Sequence, residues 1–309
     1  MNMNWNRYST TLLVIAALLI GNLILVSAIN NKDGESKTAF KTNDEENLGP
    51  QYYAIKVPGY LDFAGEPVPL HIDDVKERLE RELLVNGYRH SNTFLLLKRQ
   101  TRWFPVIERI LAEEGVPDDF KYLCVAESGL AQVVSPAGAT GFWQFMSRTA
   151  KEYNLEVNSE VDERYHVEKS TRAACQYLKR AKNKFGNWTA AAASYNMGMG
   201  GFSNQQKRQA EPDYYDILLN SETSRYVFRI LAYKEILANP QNYGFMLDYQ
   251  DQYQPYQYRE VFVDYSVDHF ATFAKQHNTN YKTIKILNPW LRDKSLTVQK
   301  NTYQIKVPL

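Results

Sequence analysis

The sequence predicts a mainly α protein that ends in a small βααβ module. Three observations carry this. From Asp73 to Asn239 apolar residues recur at helical spacing, as with Val75, Leu79, Leu83 and Leu84, and again with Val106, Ile110 and Leu111. The interruptions fall at Gly87, Gly115–Val116–Pro117, Gly129, Ser135 to Gly141, Gly186 and Gly198 to Gly201, where glycine and proline punctuate the chain. The C-terminal stretch opens and closes on short strand-like runs, with two apolar helical runs between them.

Taken in order, the first element is apolar. Leu12 to Val26 reads LLVIAALLIGNLILV, with Arg7 before it and Ser27–Ala28 after it. Residues 1–29 are therefore expected to be a signal peptide or a membrane anchor, and either implies export to the cell envelope or periplasm. Residues 30–51 are polar and turn-rich and read as a tether. Residues 52–102 are expected to be a helical extension packing on the domain that follows, which spans 103–240. A Tyr- and Gln-rich linker, 241–257, leads to the module at 258–309.

Composition narrows the function. The chain has 309 residues, 36 Lys+Arg, 35 Asp+Glu and a net charge of +1. That balance argues against a nucleic-acid binder, which would show a basic surplus, and 44% hydrophobic residues argue against disorder. A membrane partner is expected only through the N-terminal segment, if it is uncleaved. Two cysteines, Cys124 and Cys175, are too few for a disulfide scaffold; two separate buried thiols are preferred to a bridge between them. His71, His90, His166, His269 and His277 show no paired ligand spacing, so neither a metal nor another cofactor is expected.

One helix carries the chemistry. It opens at Pro117–Asp118, with Asp118 as the expected cap, and Gly129 stops it. Phe120, Leu123, Cys124 and Glu127 stand at i, i+3, i+4 and i+7, so the carboxylate leaves the face that three apolar side chains turn inward. Burial and the negative end of the helix dipole both disfavour the charged form. A carboxylic acid still protonated near neutrality is a general acid. A glutamate at a helix end can equally turn back to solvent, and position alone does not decide.

Four ordered blocks add to this: Glu127–Ser128; Ser135-Pro-Ala-Gly-Ala-Thr-Gly141-Phe-Trp-Gln144-Phe-Met146; Ala192-Ala-Ser-Tyr195-Asn196-Met-Gly198; and Glu222-Thr-Ser-Arg-Tyr226-Val227. Over about residues 100 to 240 the set resembles the lysozyme-like lytic transglycosylases of bacterial cell walls, and the Gly-Phe-Trp-Gln stretch is most similar to their membrane-bound D-type branch. The resemblance implies a lysozyme-like (SLT) fold and peptidoglycan glycan strands as the partner. It implies Glu127 as the single catalytic carboxylate, acid and then base, forming 1,6-anhydromuramoyl ends. Ordinary glycosidases use two carboxylates; Asp162 and Glu163 are read as solvated loop positions. The resemblance further implies saccharide contacts for Ser128, Ser135, Gln144, Met146, Tyr195, Asn196, Glu222 and Tyr226. The Tyr195 hydroxyl would be available to the reacting groups, Gly141 would let backbone approach the sugar, and Gly198, Gly200 and Gly201 would form a turn.

The end of the chain, with Leu287-Asn-Pro-Trp-Leu291 and Val307–Pro308, resembles a LysM module. Tyr265 to Asp268 stands where such modules usually show a Gly-Asp pair. The module is therefore expected either to bind N-acetylglucosamine-containing glycan or to pack on the catalytic domain. Two other functions stay open at this point: a catalytically silent peptidoglycan-binding or scaffold protein of the envelope, and a lysozyme-type hydrolase on the same fold.

Overall fold

The structure is a computed structural model that describes residues 54–309. The apolar segment and the tether expected over residues 1–51 lie outside the described residues, among which no helix is long and apolar enough to cross a membrane.

The helical extension proves to begin with a hairpin, β1 (Asp62–Phe63) and β2 (Glu66–Pro67), which the sequence reading missed. Ala64 and Gly65 turn it with φ of 56° and 78°, the left-handed pair that a two-residue hairpin loop needs. Helix α1 (Asp73–Gly87) follows, burying Val75, Leu79 and Leu83 as the periodicity predicts. Helix α2 (His90–Glu113) runs through Pro105. Next come α3 (Phe120–Ser128), α4 (Ser147–Glu152), α5 (Val167–Phe185), α6 (Trp188–Met197), α7 (Met199–Gln209) and α8 (Ser221–Ala238).

The core closes around α6. Ala190, Ala191, Ala192 and Ala193 are all fully buried, so this helix is enclosed on every side. Methyl side chains let neighbouring backbones approach closely. Its N-terminus is held twice. The Asn187 side chain accepts from Ala190 N at 2.7 Å, and the Glu66 carboxylate accepts from the Trp188 and Thr189 amides at 2.6 and 2.8 Å. The hairpin thus supplies the anion that the central helix start favours. At the other end Gly198 alone, at φ 80°, makes the elbow into α7. Gly200 and Gly201 lie inside α7 rather than in the expected turn, and a Cβ on Gly201 would meet the Met197 side chain at 3.6 Å.

The module has the βααβ order expected: β3 (Tyr258–Val263), α9 (Phe270–Gln276), α10 (Tyr281–Leu287) and β4 (Tyr303–Pro308). β3 and β4 pair antiparallel, Val261 opposite Ile305. Its small core includes Val161 and Tyr165 from the loop before α5. The stretch read as a linker is laid along α2. Lys98 Nζ donates to Asp251 O at 2.7 Å and Tyr253 N to Lys98 O at 3.0 Å; Arg102 Nε donates to Gln254 O at 2.8 Å, with its guanidinium 4.2 Å from the Tyr256 ring centre. Polar composition suggested a free segment, but its tyrosines and carbonyls give the α2 cations somewhere to bind.

Candidate active site

Glu127 sits in the last turn of α3, where Phe120, Leu123 and Cys124 are fully buried on the same face and Gly129 ends the helix at φ 60°. The cap differs from expectation. Asp118 pairs with Lys121, and the first amides of α3 bond to the carbonyls of Pro117, Asp118 and Asp119, which removes the need for a side-chain cap. Asp119 is turned to other use, accepting from Ala64 N and from Lys234 Nζ, both at 2.7 Å.

The partner of Glu127 comes from α8. Tyr226 is fully buried and its hydroxyl donates to Glu127 Oε1. Burial pushes the Glu127 carboxyl up to about 7 and the nearby Glu222 charge acts the same way, while the Tyr226 hydrogen bond and the Arg229 charge pull it down. Tyr226 itself is held far above the ordinary phenol range, first by burial and then by the Glu127 charge, so it remains a donor.

Glu222 is exposed at the start of α8, four residues before Tyr226, and accepts from Arg229 Nη1 at 3.0 Å. It therefore influences Glu127 across space without bonding to it. Arg229 has a second carboxylate nearby, Glu82 of α1, with Nε to Oε2 at 3.8 Å. Glu82 is 1% exposed and takes Arg225 Nε at 2.6 Å and Arg81 Nη1 at 2.9 Å. Glu82 went unnoticed in the sequence, although it follows Val75 and Leu79 at i+7 and i+3. That is the same inward-facing pattern that singled out Glu127.

Tyr195, at the end of α6, donates to the Trp143 carbonyl at 2.8 Å, so its hydroxyl proton is engaged by backbone rather than free for a reacting group. Burial and then the Glu127 charge keep it protonated. Asn196 Oδ1 accepts from Thr223 Oγ1 at 2.8 Å, tying α6 to α8. Ser128 donates back along its own helix to Cys124 O at 3.2 Å and does not orient Glu127.

The loop from Val133 to Met146 is closed by isolated bridges, Val134 to Thr140 and Thr140 to Phe145. Ser135 Oγ accepts from Ala139 N at 3.0 Å. Gln144 takes a left-handed φ of 49° and its amide nitrogen donates to Gly141 O at 2.8 Å and Val133 O at 3.1 Å, which leaves the amide oxygen for an outside donor. Gly141 has a reason within the chain: at φ 80°, a Cβ there would lie 2.0 Å from Arg164 O. The loop reaches the helices through Tyr195 and through Cys124 Sγ, 3.5 Å from Phe142 O. Met146 is 44% exposed where the loop enters α4, so it is not core.

Direct bonds thus join Glu127 to Tyr226, with Tyr195, Glu222 and Arg229 within electrostatic reach. Ser135, Gln144 and Met146 line the adjoining loop. Asp162 and Glu163, read as solvated, are instead buried and paired, Asp162 with Arg164 and Glu163 with Lys169. A cavity of about 140 Å³ lies at the seam with the C-terminal module, against Trp103, Tyr256 and Trp290, and none of the nine candidate residues lines it. Cys124 and Cys175 are free and buried. Among the described residues no group of three or more His, Cys, Asp or Glu could hold a metal ion.

Comparison with known proteins bears on the whole. Residues 104–218 match the family described as the transglycosylase SLT domain, and residues 259–309 match the soluble lytic transglycosylase C-terminal LysM-like domain. Membrane-bound lytic murein transglycosylase D of Escherichia coli K12, and its counterpart in strain O6:H1, are each 28% identical over 199 residues, which is 62% of this chain and 43% of theirs. The chain thus spans less than half the length of these curated relatives. A crystal structure of an inactive mutant of the lytic transglycosylase Slt from Pseudomonas aeruginosa is 21% identical over 49% of this chain and 26% of that one, with a TM-score of 0.35, a likeness too distant to argue from. The chain carries an SLT transglycosylase domain followed by a LysM-like C-terminal domain.

Proposed function

We propose that this protein is a peptidoglycan lytic transglycosylase of the cell envelope, and that Glu127 is its acid and then its base. The observation that carries this reading is the Glu127 carboxyl itself, poised at about 7 beneath the Tyr226 hydroxyl. A group balanced there can give up a proton and take one back at the same pH. Protonated Glu127 delivers its proton to the glycosidic oxygen between N-acetylmuramic acid and N-acetylglucosamine as the bond to the anomeric carbon breaks. The substrate's N-acetyl group stabilises the cationic centre. Glu127, now a carboxylate, removes the proton from the carbon-6 hydroxyl, whose oxygen closes on the anomeric carbon. The proton count returns to its start and no water is consumed.

An inverting hydrolase would need a second carboxylate to activate water. Glu222 is the other acidic group whose charge reaches Glu127, and Arg229 already occupies it in an ion pair at 3.0 Å. In this reading the Gln144 amide oxygen, Ser135 and Asn196 contact the glycan, and Met146 lies at the rim. The segment at residues 1–29 would deliver the chain to the envelope, with membrane contact through that segment alone.

The test is mass spectrometry of the soluble products from purified peptidoglycan. Muropeptides lighter than the hydrolytic ones by one water support the proposal. Hydrated reducing ends would make the protein a hydrolase and turn attention to Glu222. Sedimentation with the wall and no release would leave a binding protein.

A further inference from the structure

We infer that Arg164 is a positioning residue through which the C-terminal module holds the loop from Ser135 to Met146 in place. The chain of contact starts in the module. Residues 290–292 lie antiparallel to 160–162: Asp162 N donates to Trp290 O at 2.9 Å, Arg292 N to Glu160 O at 2.7 Å, and Val161 bridges Leu291. Glu160 adds side-chain acceptors, taking Thr297 N at 2.8 Å and Thr297 Oγ1 at 3.1 Å. The Arg292 guanidinium lies 4.0 Å from the Tyr165 ring centre. The backbone of 160–165 is therefore fixed by the module from one side.

Its other side is fixed to the loop by one side chain. Asp162 grips Arg164 with both oxygens, accepting from Nε at 2.9 Å and from Nη2 at 2.7 Å. This fork orients the guanidinium so that Nη1 donates to two loop carbonyls, Gly138 O at 3.1 Å and Phe145 O at 3.2 Å. These carbonyls flank the turn that contains Gly141 and Gln144. The Arg164 carbonyl presses on Gly141 closely enough that no other residue fits there. Gln132 Nε2 donates to Tyr165 O at 2.8 Å and secures the loop's approach. A lysine has one charged nitrogen and cannot span two carboxylate oxygens and two carbonyls at once. Residues 259–309 thus act on the candidate site without touching it, because the same short segment faces the module and the loop.

The consequence for turnover rests on the function proposed above; the mechanical claim does not. It is tested on the full chain by amide hydrogen exchange, read peptide by peptide, together with release of anhydro products. In Arg164→Gln, exchange at Thr140, Gly141 and Gln144 is expected to quicken by about tenfold or more while the α6 amides keep their protection. Trp290→Ala should quicken the same loop, though less, and Arg164→Lys should recover part of both protection and turnover. Should Arg164→Gln fail to fold, Asp162→Asn loosens the same fork and is expected to give a smaller change of the same kind. Loop exchange unchanged in the arginine or aspartate variant would overturn the inference. So would a Trp290→Ala effect confined to residues 160–166 and 258–309. Wild-type protein that releases no product would count against the function and leave the exchange result to judge the brace.

Discussion

Two glutamates, both drawn out of water, are treated in opposite ways. Glu127, at the end of α3, has a phenol for a partner and its carboxyl rises to about 7. Glu168, in the first turn of α5 at the module seam, meets Lys306 Nζ on one oxygen and has His166 Nδ1 3.1 Å from the other. Burial pushes Glu168 up as well, but the His166 contact and the Lys306 charge outweigh it and hold the carboxyl far below the usual range. Burial alone therefore does not decide what a carboxylate is for. The partner does: a cation fixes the charge and makes a joint, whereas a neutral donor leaves the proton free to move.

The sharpest break in that contrast is Glu127→Gln, which keeps the shape and the Tyr226 contact but removes the proton. Product release is expected to fall by at least about two to three orders of magnitude with the circular dichroism spectrum unchanged. At the seam, Lys306→Met strands a charge with poorer partners, and a urea melt at neutral pH should show a loss of about 2 kcal/mol. Because the Glu168 carboxyl is depressed, this ion-pair contribution is fully present above the ordinary carboxylate range and is lost progressively as pH falls below it.

The opposite sign is expected at Glu127. Its carboxyl is raised, so the stability it allows is fully present below about 4.5 and declines as pH rises through about 7. Glu127→Gln should therefore match the wild type at low pH and exceed it by on the order of 2 kcal/mol in mildly alkaline buffer. The smallest effect belongs to Tyr226→Phe. Losing that hydroxyl lets the Glu127 carboxyl climb further, so the alkaline limb of the pH–rate profile should move up, with turnover slowed by about tenfold at most. A limb that moves down would contradict the sign of the Tyr226 contact.

Much of this was legible along the chain because it is local. The inward face of α3, its stop at Gly129, the small-residue helix Ala190–Ala193 and the βααβ order all follow from spacing and composition. What escaped the sequence are the partnerships made across it. Asp118 was the expected cap but pairs with Lys121, its neighbour Asp119 is bound by Ala64 and Lys234, and Asp162 looked solvated but is buried against Arg164. Glu82 shares its heptad-like placement with Glu127 yet meets three arginines, two of them on α8. Periodicity reports which way a side chain points, and tertiary packing alone reports what waits there.

The stretch from Asp248 to Tyr256, bound along α2 by Lys98 and Arg102, has a thermodynamic consequence. A connector bound to α2 holds the start of β3 against the catalytic domain, and the pairing of residues 160–162 with 290–292 joins the two parts directly, so neither melts without disturbing the other. The catalytic domain and the C-terminal module should behave as one cooperative unit, and a calorimetric scan of the two together should show a single heat-absorption peak whose van't Hoff and calorimetric enthalpies agree.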